Sequence, residues 1–360
     1  MSSSERVAAN DLSALVARLF VAAGIPQTSA QIVADALVEA DLEGQASHGV
    51  MLVDMYVDRI RNGSVSANTE AAIVSDKGVA VVLDAQHALG HVTGEQGMRL
   101  AIGKARKLGV GIAAVRHGFH FGTARRFALQ AAAADCIGIA MCNTRPLMPA
   151  PGGAERLVGN NPVAIAVPSD DPVPIVLDMA TSEAAMGKIR MAEKAGQQIP
   201  LSWAVKSDGS PTTNATEAIA GMLLPAAGPK GFGLSFMVDL LCGLLSGGAV
   251  GAAVQPLYGN AAVPYDCSHL FIAIDISFFG DAVAIRKLAR DAAERVRNSR
   301  RAPGIDRVFA PGEPEWRNRQ IAAGKINVAP AVAATLVRLA EELGVSPAPL
   351  EQQGKETDYA

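Results

Sequence analysis

GVGIAA, residues 109–114, is the stretch whose reading decides the fold. By letters it is Gly109-x-Gly111-x-x-Ala114, the glycine fingerprint of a Rossmann dinucleotide site. That site needs a strand running into the glycines and a helix starting at them, because the pyrophosphate rests on the helix's first N–H groups. Here the order is reversed. A helical stretch, residues 93–108, comes before the glycines, and the apolar run GVGIAAVRH (109–117) carries on as a strand. The fingerprint is therefore rejected, and any nicotinamide cofactor must be held by another scaffold.

Around this stretch, short apolar runs read as buried strands: GVAVVLD (78–84), IGIAMCN (137–143), PVAIAVP (162–168), PIVLDMA (174–180) and HLFIAIDISFF (269–279). They alternate with helices too irregularly for a doubly wound sheet, so the expectation is an α+β fold, with an α+β unit over residues 73–282. The first 72 residues read as helical. Asn10 is placed as the cap of a helix with Leu12, Leu15, Val16, Leu19 and Phe20 on one stripe, stopped by Gly24 and Pro26. Thr28 opens a second helix, and residues 50–62 form a third. Helices at 283–298 and 330–343 are expected to fold back on these, making a discontinuous helical domain (1–72 with 283–345), and the polar end, 346–360, is expected to be loose. Residues 231–254 are long enough to span a bilayer, but Asp239 lies near their middle and their glycines break the run. A buried core helix over 232–246 is expected instead.

Net charge is −3, from 32 basic and 35 acidic residues with no basic patch, so nucleic acid is excluded as a partner. The N-terminus lacks the charged and apolar pattern of a signal peptide. Cys136, Cys142, Cys242 and Cys267 show neither C-x-x-C nor metal-ligand spacing, which suits free buried thiols in the cytoplasm and no metal. No membrane partner is expected.

The chemistry-bearing residues are few. His48 lies between Ser47 and Gly49 at the mouth of the third helix, and His120 lies between two phenylalanines at a strand-to-helix turn. Each can be read as a packed histidine or as a proton carrier, since imidazole titrates near neutrality. Gly159-Asn160-Asn161-Pro162 can be a plain turn or a loop offering amide groups to a carbonyl or carboxylate. Asp178, Thr181 and Ser182 end an apolar strand ahead of a helix. Lys230 opens an apolar helix, where it opposes the helix dipole unless solvated or paired with a phosphate.

Taken in order, SHG (47–49), HFG (120–122), GGAE…GNNPVAIAVP, LDMATS, GSPTT, LLPAAGPKGFGLSF and APGEP (310–314) resemble the type 2 malate/L-lactate dehydrogenase family over residues 10–345, with ureidoglycolate dehydrogenases the most similar branch. The resemblance implies a non-Rossmann fold with a mixed, largely antiparallel sheet. It further implies hydride transfer between NAD (NADP as the other option) and a small 2-hydroxy or 2-oxo acid, in a homodimer. A cyclic imino-acid reductase and a non-catalytic cofactor-binding relative are the alternatives. Carried over by motif, Ser47, His48 and Tyr56 lie on the substrate side with Asn160 and Asn161, and His48 and His120 share the acid–base work. Thr144, Asp178, Met179, Ala180, Thr181, Lys230, Gly231, Gly312, Glu313 and Pro314 fall on the cofactor side. Two departures stand out. Leu52 occupies the place of a substrate-binding arginine, and His117-Gly118-Phe119 replaces the usual Asn-Ser-x before the second histidine. Either Arg116, Arg125, Arg145 or a partner subunit supplies the missing charge, or the substrate is not a simple malate-like acid.

Overall fold

The computed structural model describes residues 6–351. A short strand, β1 (Val7–Ala8), leads into helices α1 (Ala9–Ala22), α2 (Gln27–Leu42) and α3 (Val53–Arg61). The cap of α1 is Ala8, not Asn10, and Pro26 stands where Thr28 was expected to start α2. Both helices begin without a side-chain cap because the apolar stripe of Leu12, Leu15, Val16 and Leu19, fully buried, fixes α1 through packing.

Seven strands make the central sheet: β2 (Ala72–Lys77), β3 (Ala80–Asp84), β4 (Val110–Gly118), β5 (Cys136–Cys142), β6 (Val163–Val167), β7 (Ile175–Met179) and, after the two-residue ribbon of β8 (Ala204–Val205) and β9 (Met222–Leu223), β10 (Cys267–Asp275). Their order is β2-β3-β4-β10-β5-β6-β7. Only β3 and β4 run parallel, through the crossover helix α4 (Gly90–Leu108). All other pairs are antiparallel. The chain is α+β, as expected, and GVGIAA lies inside β4. Gly109 is the left-handed stop of α4 (φ 83°), and Gly111 sits where α4 crosses β4. Both glycines are accounted for without a phosphate.

Strand alternation divides the sheet into two faces. Val115, Ala140, Val176, Phe271 and Ala273 pack under α4 and α5 (Ala124–Ala132), where Phe127 is fully buried, worth about 2–3 kcal/mol of apolar transfer. Ile112, Ile139, Met141, Val163, Leu270 and Met179 meet α8 (Pro229–Ser246), which follows α6 (Met186–Lys194) and α7 (Ala215–Ala220) in the chain. Only Val238 and Cys242 of α8 are buried apolar contacts in that layer. The expected buried core helix is therefore corrected: one face of α8 lies on the sheet, and Leu234, Met237, Leu241, Leu244 and Leu245 are 37–68% exposed. Asp239 faces inward, accepting from Asn143 Nδ2 and the Gly251 N–H, both at 2.9 Å. No described helix is long and apolar enough to cross a membrane.

Of the two C-terminal helices expected to fold back, α11 (Pro330–Leu343) packs on α1 and α3. The earlier one, α9 (Ala282–Arg297), stays at the sheet, with Arg286 paired to Asp135 and Asp170. Between them, α10 (Glu313–Ala322) contacts α2, and β11 (Lys325–Ile326) closes a ribbon with β1. The tail expected to be loose from 346 starts instead with a helix, α12 (Ala348–Glu351), with Leu350 buried; the rest of it, residues 352–360, lies outside the described residues. The four cysteines are free and buried.

Candidate active site

The site is built where α2 turns into α3 and where β4 runs into α5. After α2, the chain makes two tight turns that carry Ser47, His48 and Gly49. Asp41 fixes them by accepting the Val50 N–H at 2.8 Å, and its carboxylate packs so closely that a Cβ on Gly49 would lie 2.0 Å from it. Burial pushes the Asp41 carboxyl up to about 6. The glycine of SHG is thus required by the residue that anchors the turn. The Ser47 hydroxyl lies 3.0 Å from His48 Nδ1.

His120 follows β4 in the loop before α5. Its Nδ1 is 2.5 Å from the Tyr56 hydroxyl, and its ring stacks on His48 at 5.6 Å and 24°. Tyr56 is fully buried on α3, and that burial holds its phenol protonated, well above its usual range. With the phenol oxygen accepting from Nδ1–H, the Nε2 lone pair of the neutral ring is left free to exchange a proton. The Nε2 atoms of His48 and His120 have no protein partner among the described residues and remain accessible. Burial lowers both imidazoles, His120 well below its ordinary value, where the charges of His48, His91 and His269 act in the same direction.

Two nearby histidines were not singled out by sequence. His91, on α4, is sealed from solvent with neither ring nitrogen partnered among the described residues, and burial brings it down to about 3. His269 stacks on Phe121 at 4.6 Å, with Cys267 Sγ 3.2 Å from its Nε2. Cys142 also joins it, so three donor atoms lie within 4.8 Å, a grouping that sequence spacing hides because the strands, not a local motif, assemble it. His117 is elsewhere, paired with Asp84 at 3.0 Å.

The residues expected on the cofactor side form two adjoining groups. Asp178 ends the edge strand β7 and accepts the Arg125 N–H at the start of α5, at 3.2 Å. Burial pushes its carboxyl up to about 6 against the pull of Arg125. Asp178, Val176, Arg125, Gly312, Pro314 and Phe309 line a cleft of about 350 Å³. Gly312 is left-handed (φ 89°), and a Cβ there would meet Val176 and the Pro174 carbonyl within 2.8 Å. Glu313 is not in that lining: its carboxylate faces Arg297 at 2.8 Å.

In the second group, the Asn160 carbonyl accepts from the Thr181 N–H at 3.1 Å, and Thr144 Oγ1 is 3.1 Å from Asn160 Oδ1. Asn161 is buried and spoken for, accepting the Thr144 N–H at 2.8 Å and donating to the Ser235 carbonyl at 2.9 Å, so its amide organises the loop. Gly231 packs against Ala226 and Thr181 at the start of α8, and Lys230 beside it is exposed. Met179 faces the α8 layer, Ala180 is half-buried, and the Thr181 hydroxyl is buried without a partner among the described residues. The loop from His120 to Arg125 ties these groups to the histidines. In the cleft Asp178 offers a carboxylate acceptor, and Gly312 leaves the backbone open to close approach.

The malate/L-lactate dehydrogenase family profile matches residues 7–337. Malate dehydrogenase of Pyrococcus abyssi is 38% identical over 316 residues, 86% of each chain. Ureidoglycolate dehydrogenase (NAD(+)) of Escherichia coli K12 is 34% identical over 310 residues, 86% of this chain and 88% of that one. The motif likeness to ureidoglycolate dehydrogenases is thus shared with other members. Among solved structures, sulfolactate dehydrogenase of Methanocaldococcus jannaschii superposes with a TM-score of 0.90 at 33% identity, covering 96% of this chain and 99% of that one.

Proposed function

The chain belongs to the malate/L-lactate dehydrogenase family, an oxidoreductase family, and from that premise we propose that it interconverts a small 2-hydroxy acid and its 2-oxo acid with NAD or NADP. One observation carries the reading. Two stacked imidazoles have their Nδ1 atoms held by hydroxyls and their Nε2 atoms open, one short loop away from the cleft at Asp178.

A bound nicotinamide would exchange the hydride. The chain's own part is the proton. Reducing a carbonyl places negative charge on oxygen, and an Nε2 within reach delivers H⁺ to it. Tyr56 makes His120 the better-fixed of the two rings, so His120 exchanges the proton and His48, steadied by Ser47, orients the substrate oxygen. The cofactor is held by Asp178, Thr181 and the Gly312–Pro314 turn, with exposed Lys230 available to a phosphate. Free thiols fit a cytoplasmic setting.

The test is NAD(P)H oxidation against pyruvate, glyoxylate, oxaloacetate, 2-oxo-4-methylpentanoate and piperideine-2-carboxylate. Turnover of a 2-oxo acid is expected. Turnover of the imine alone would make the chain a cyclic imine reductase, and cofactor binding without any turnover would make it a binding protein.

The lowered imidazoles set the pH dependence. Both are neutral at pH 7 and therefore competent bases. For oxidation of the hydroxy acid, kcat/KM should be flat above a midpoint lying under the ordinary 6.5 and should fall below it. Reduction, which needs the imidazolium, should fall as pH rises through that midpoint. A pair of pH profiles with the opposite slopes would remove the histidine from the proton step.

The exposed face of α8 supports a homodimer. A continuous apolar stripe on a helix otherwise fixed to the sheet is unusual for a monomer surface. Changing Leu241 and Leu244 to glutamate together is expected to convert dimers to monomers in sedimentation velocity. A wild-type monomer, or a double variant that stays dimeric, would contradict it.

A further inference from the structure

The substrate's acid group needs a cation, and Leu52 cannot provide one: it is apolar and fully buried in the helical core. The structure narrows the replacements. Arg116 is held by Asp84 at 3.0 Å. Arg125 is buried between Glu43 and Glu315, at 3.4 and 3.6 Å. Arg59, also buried on α3, spends its guanidinium on the carbonyls of Pro256, Leu257 and Val263, pinning the loop that leads to Tyr265.

Arg145 differs from all three. It is half-buried, yet among the described residues it has neither a carboxylate within ion-pair distance nor a side-chain hydrogen bond. It leaves the end of β5 three residues after Cys142, which lies opposite His269 in the sheet, and next to Thr144, whose N–H is held by Asn161. Its neighbours are also cationic. Arg156 spends its donors on the carbonyls of Ala220 and Gly221, which leaves its charge uncompensated. Arg190 lies over the Tyr258 ring at 6.0 Å. Burial and these two like charges pull the Arg145 guanidinium down, and Tyr265 opposes them. Tyr265 also stands toward the histidines, since its ring meets Phe119 at 6.2 Å and Phe119 meets Tyr56 at 5.0 Å.

We propose that Arg145 is the anion subsite of this chain, binding the carboxylate of the 2-oxo acid in place of the arginine absent at position 52, with Arg156 and Arg190 favouring substrates that carry a second acidic group. A half-buried guanidinium with no acid partner and two cationic neighbours is poised for a planar anion, because its fork binds carboxylate in bidentate fashion and its desolvation is offset only when one arrives. The subsite rests on the dehydrogenase reading for its substrate, but it can be measured without turnover.

The experiment is calorimetric titration of the NADH-saturated protein with oxamate, an inert 2-oxo acid isostere, and with malonate, a dicarboxylate. Wild type should bind both, malonate no more weakly than oxamate. Arg145→Gln should weaken both by about 10- to 100-fold, the range for losing a charged hydrogen-bond partner. Arg145→Lys should recover part of the loss, and NADH affinity, read by fluorescence, should move less than a few-fold. Unchanged anion affinity in Arg145→Gln, or a wild type that binds neither anion, overturns the subsite. Anion binding that depends on Arg145, in a protein that reduces none of the 2-oxo acids, leaves the subsite standing and removes the dehydrogenase reading.

Discussion

Replacing His120 with alanine is expected to lower turnover of the 2-oxo acid by about 10²–10⁴-fold, the usual contribution of a positioned acid or base. The loss should appear in kcat and in kcat/KM alike, because the proton is needed in the transition state and not for binding. NADH affinity should stay within a few-fold, since His120 lies outside the cleft formed by Asp178 and Gly312. His48→Ala should cost less and raise KM as well, as befits a ring that orients the oxygen. Tyr56→Phe keeps the packing and removes only the hydroxyl that fixes His120 Nδ1, so a loss of about tenfold is expected, the size of one hydrogen bond. Steady-state kinetics on the three variants, with circular dichroism to confirm folding, decides the matter. Full activity in His120→Ala would end its role.

The second large effect is on stability. Gly111 faces the crossing of α4 over β4, and a Cβ there would stand 1.9 Å from the Ala101 carbonyl oxygen and 2.8 Å from Lys104 Cβ. The Ala101 carbonyl belongs to the helix backbone and cannot rotate aside, so α4 and β4 must separate. Gly111→Ala is therefore expected to destabilise by about 2–3 kcal/mol, the upper part of the overpacking range. Thermal unfolding should show a clear fall in Tm, while the folded fraction still binds NADH with near-parental affinity. The two outcomes separate the readings of GVGIAA. Were these glycines a phosphate cradle, the alanine would weaken the dinucleotide and leave Tm largely intact.

Much of the fold was legible because its strands are short apolar runs between turn signals. GVGIAAVRH, IGIAMCN, PVAIAVP and PIVLDMA each became a strand within a residue or two of the reading. The edge strand Ala72–Lys77 escaped because most of it is exposed and its sequence carries charges where a core strand would be apolar. The outer face of α8 escaped for the opposite reason: an all-round apolar helix reads as core, and sequence does not say which side the sheet will leave open. Helix starts erred where tertiary packing replaced the side-chain cap, as at Asn10.

The candidate site was legible only as letters. SHG and HFG place their histidines 72 residues apart, and nothing local says that α3 will carry Tyr56 to His120. His91 and His269 were invisible as neighbours of the pair, since each sits within an ordinary helix or strand pattern. The choice among Arg116, Arg125 and Arg145 was likewise beyond the sequence. It depends on which guanidinium finds an acid, and Asp84, Glu43 and Glu315 are remote in the chain.

The central claim is that a proton on His120 and a hydride on a nicotinamide meet at one carbon–oxygen bond. A crystal structure of the protein with NADH and oxamate tests this most directly. The account places the dinucleotide along Asp178, Thr181 and Gly312, with the oxamate oxygen within hydrogen-bond reach of His120 Nε2. A nicotinamide ring bound away from both His48 and His120, or an oxamate oxygen facing neither imidazole, would contradict it.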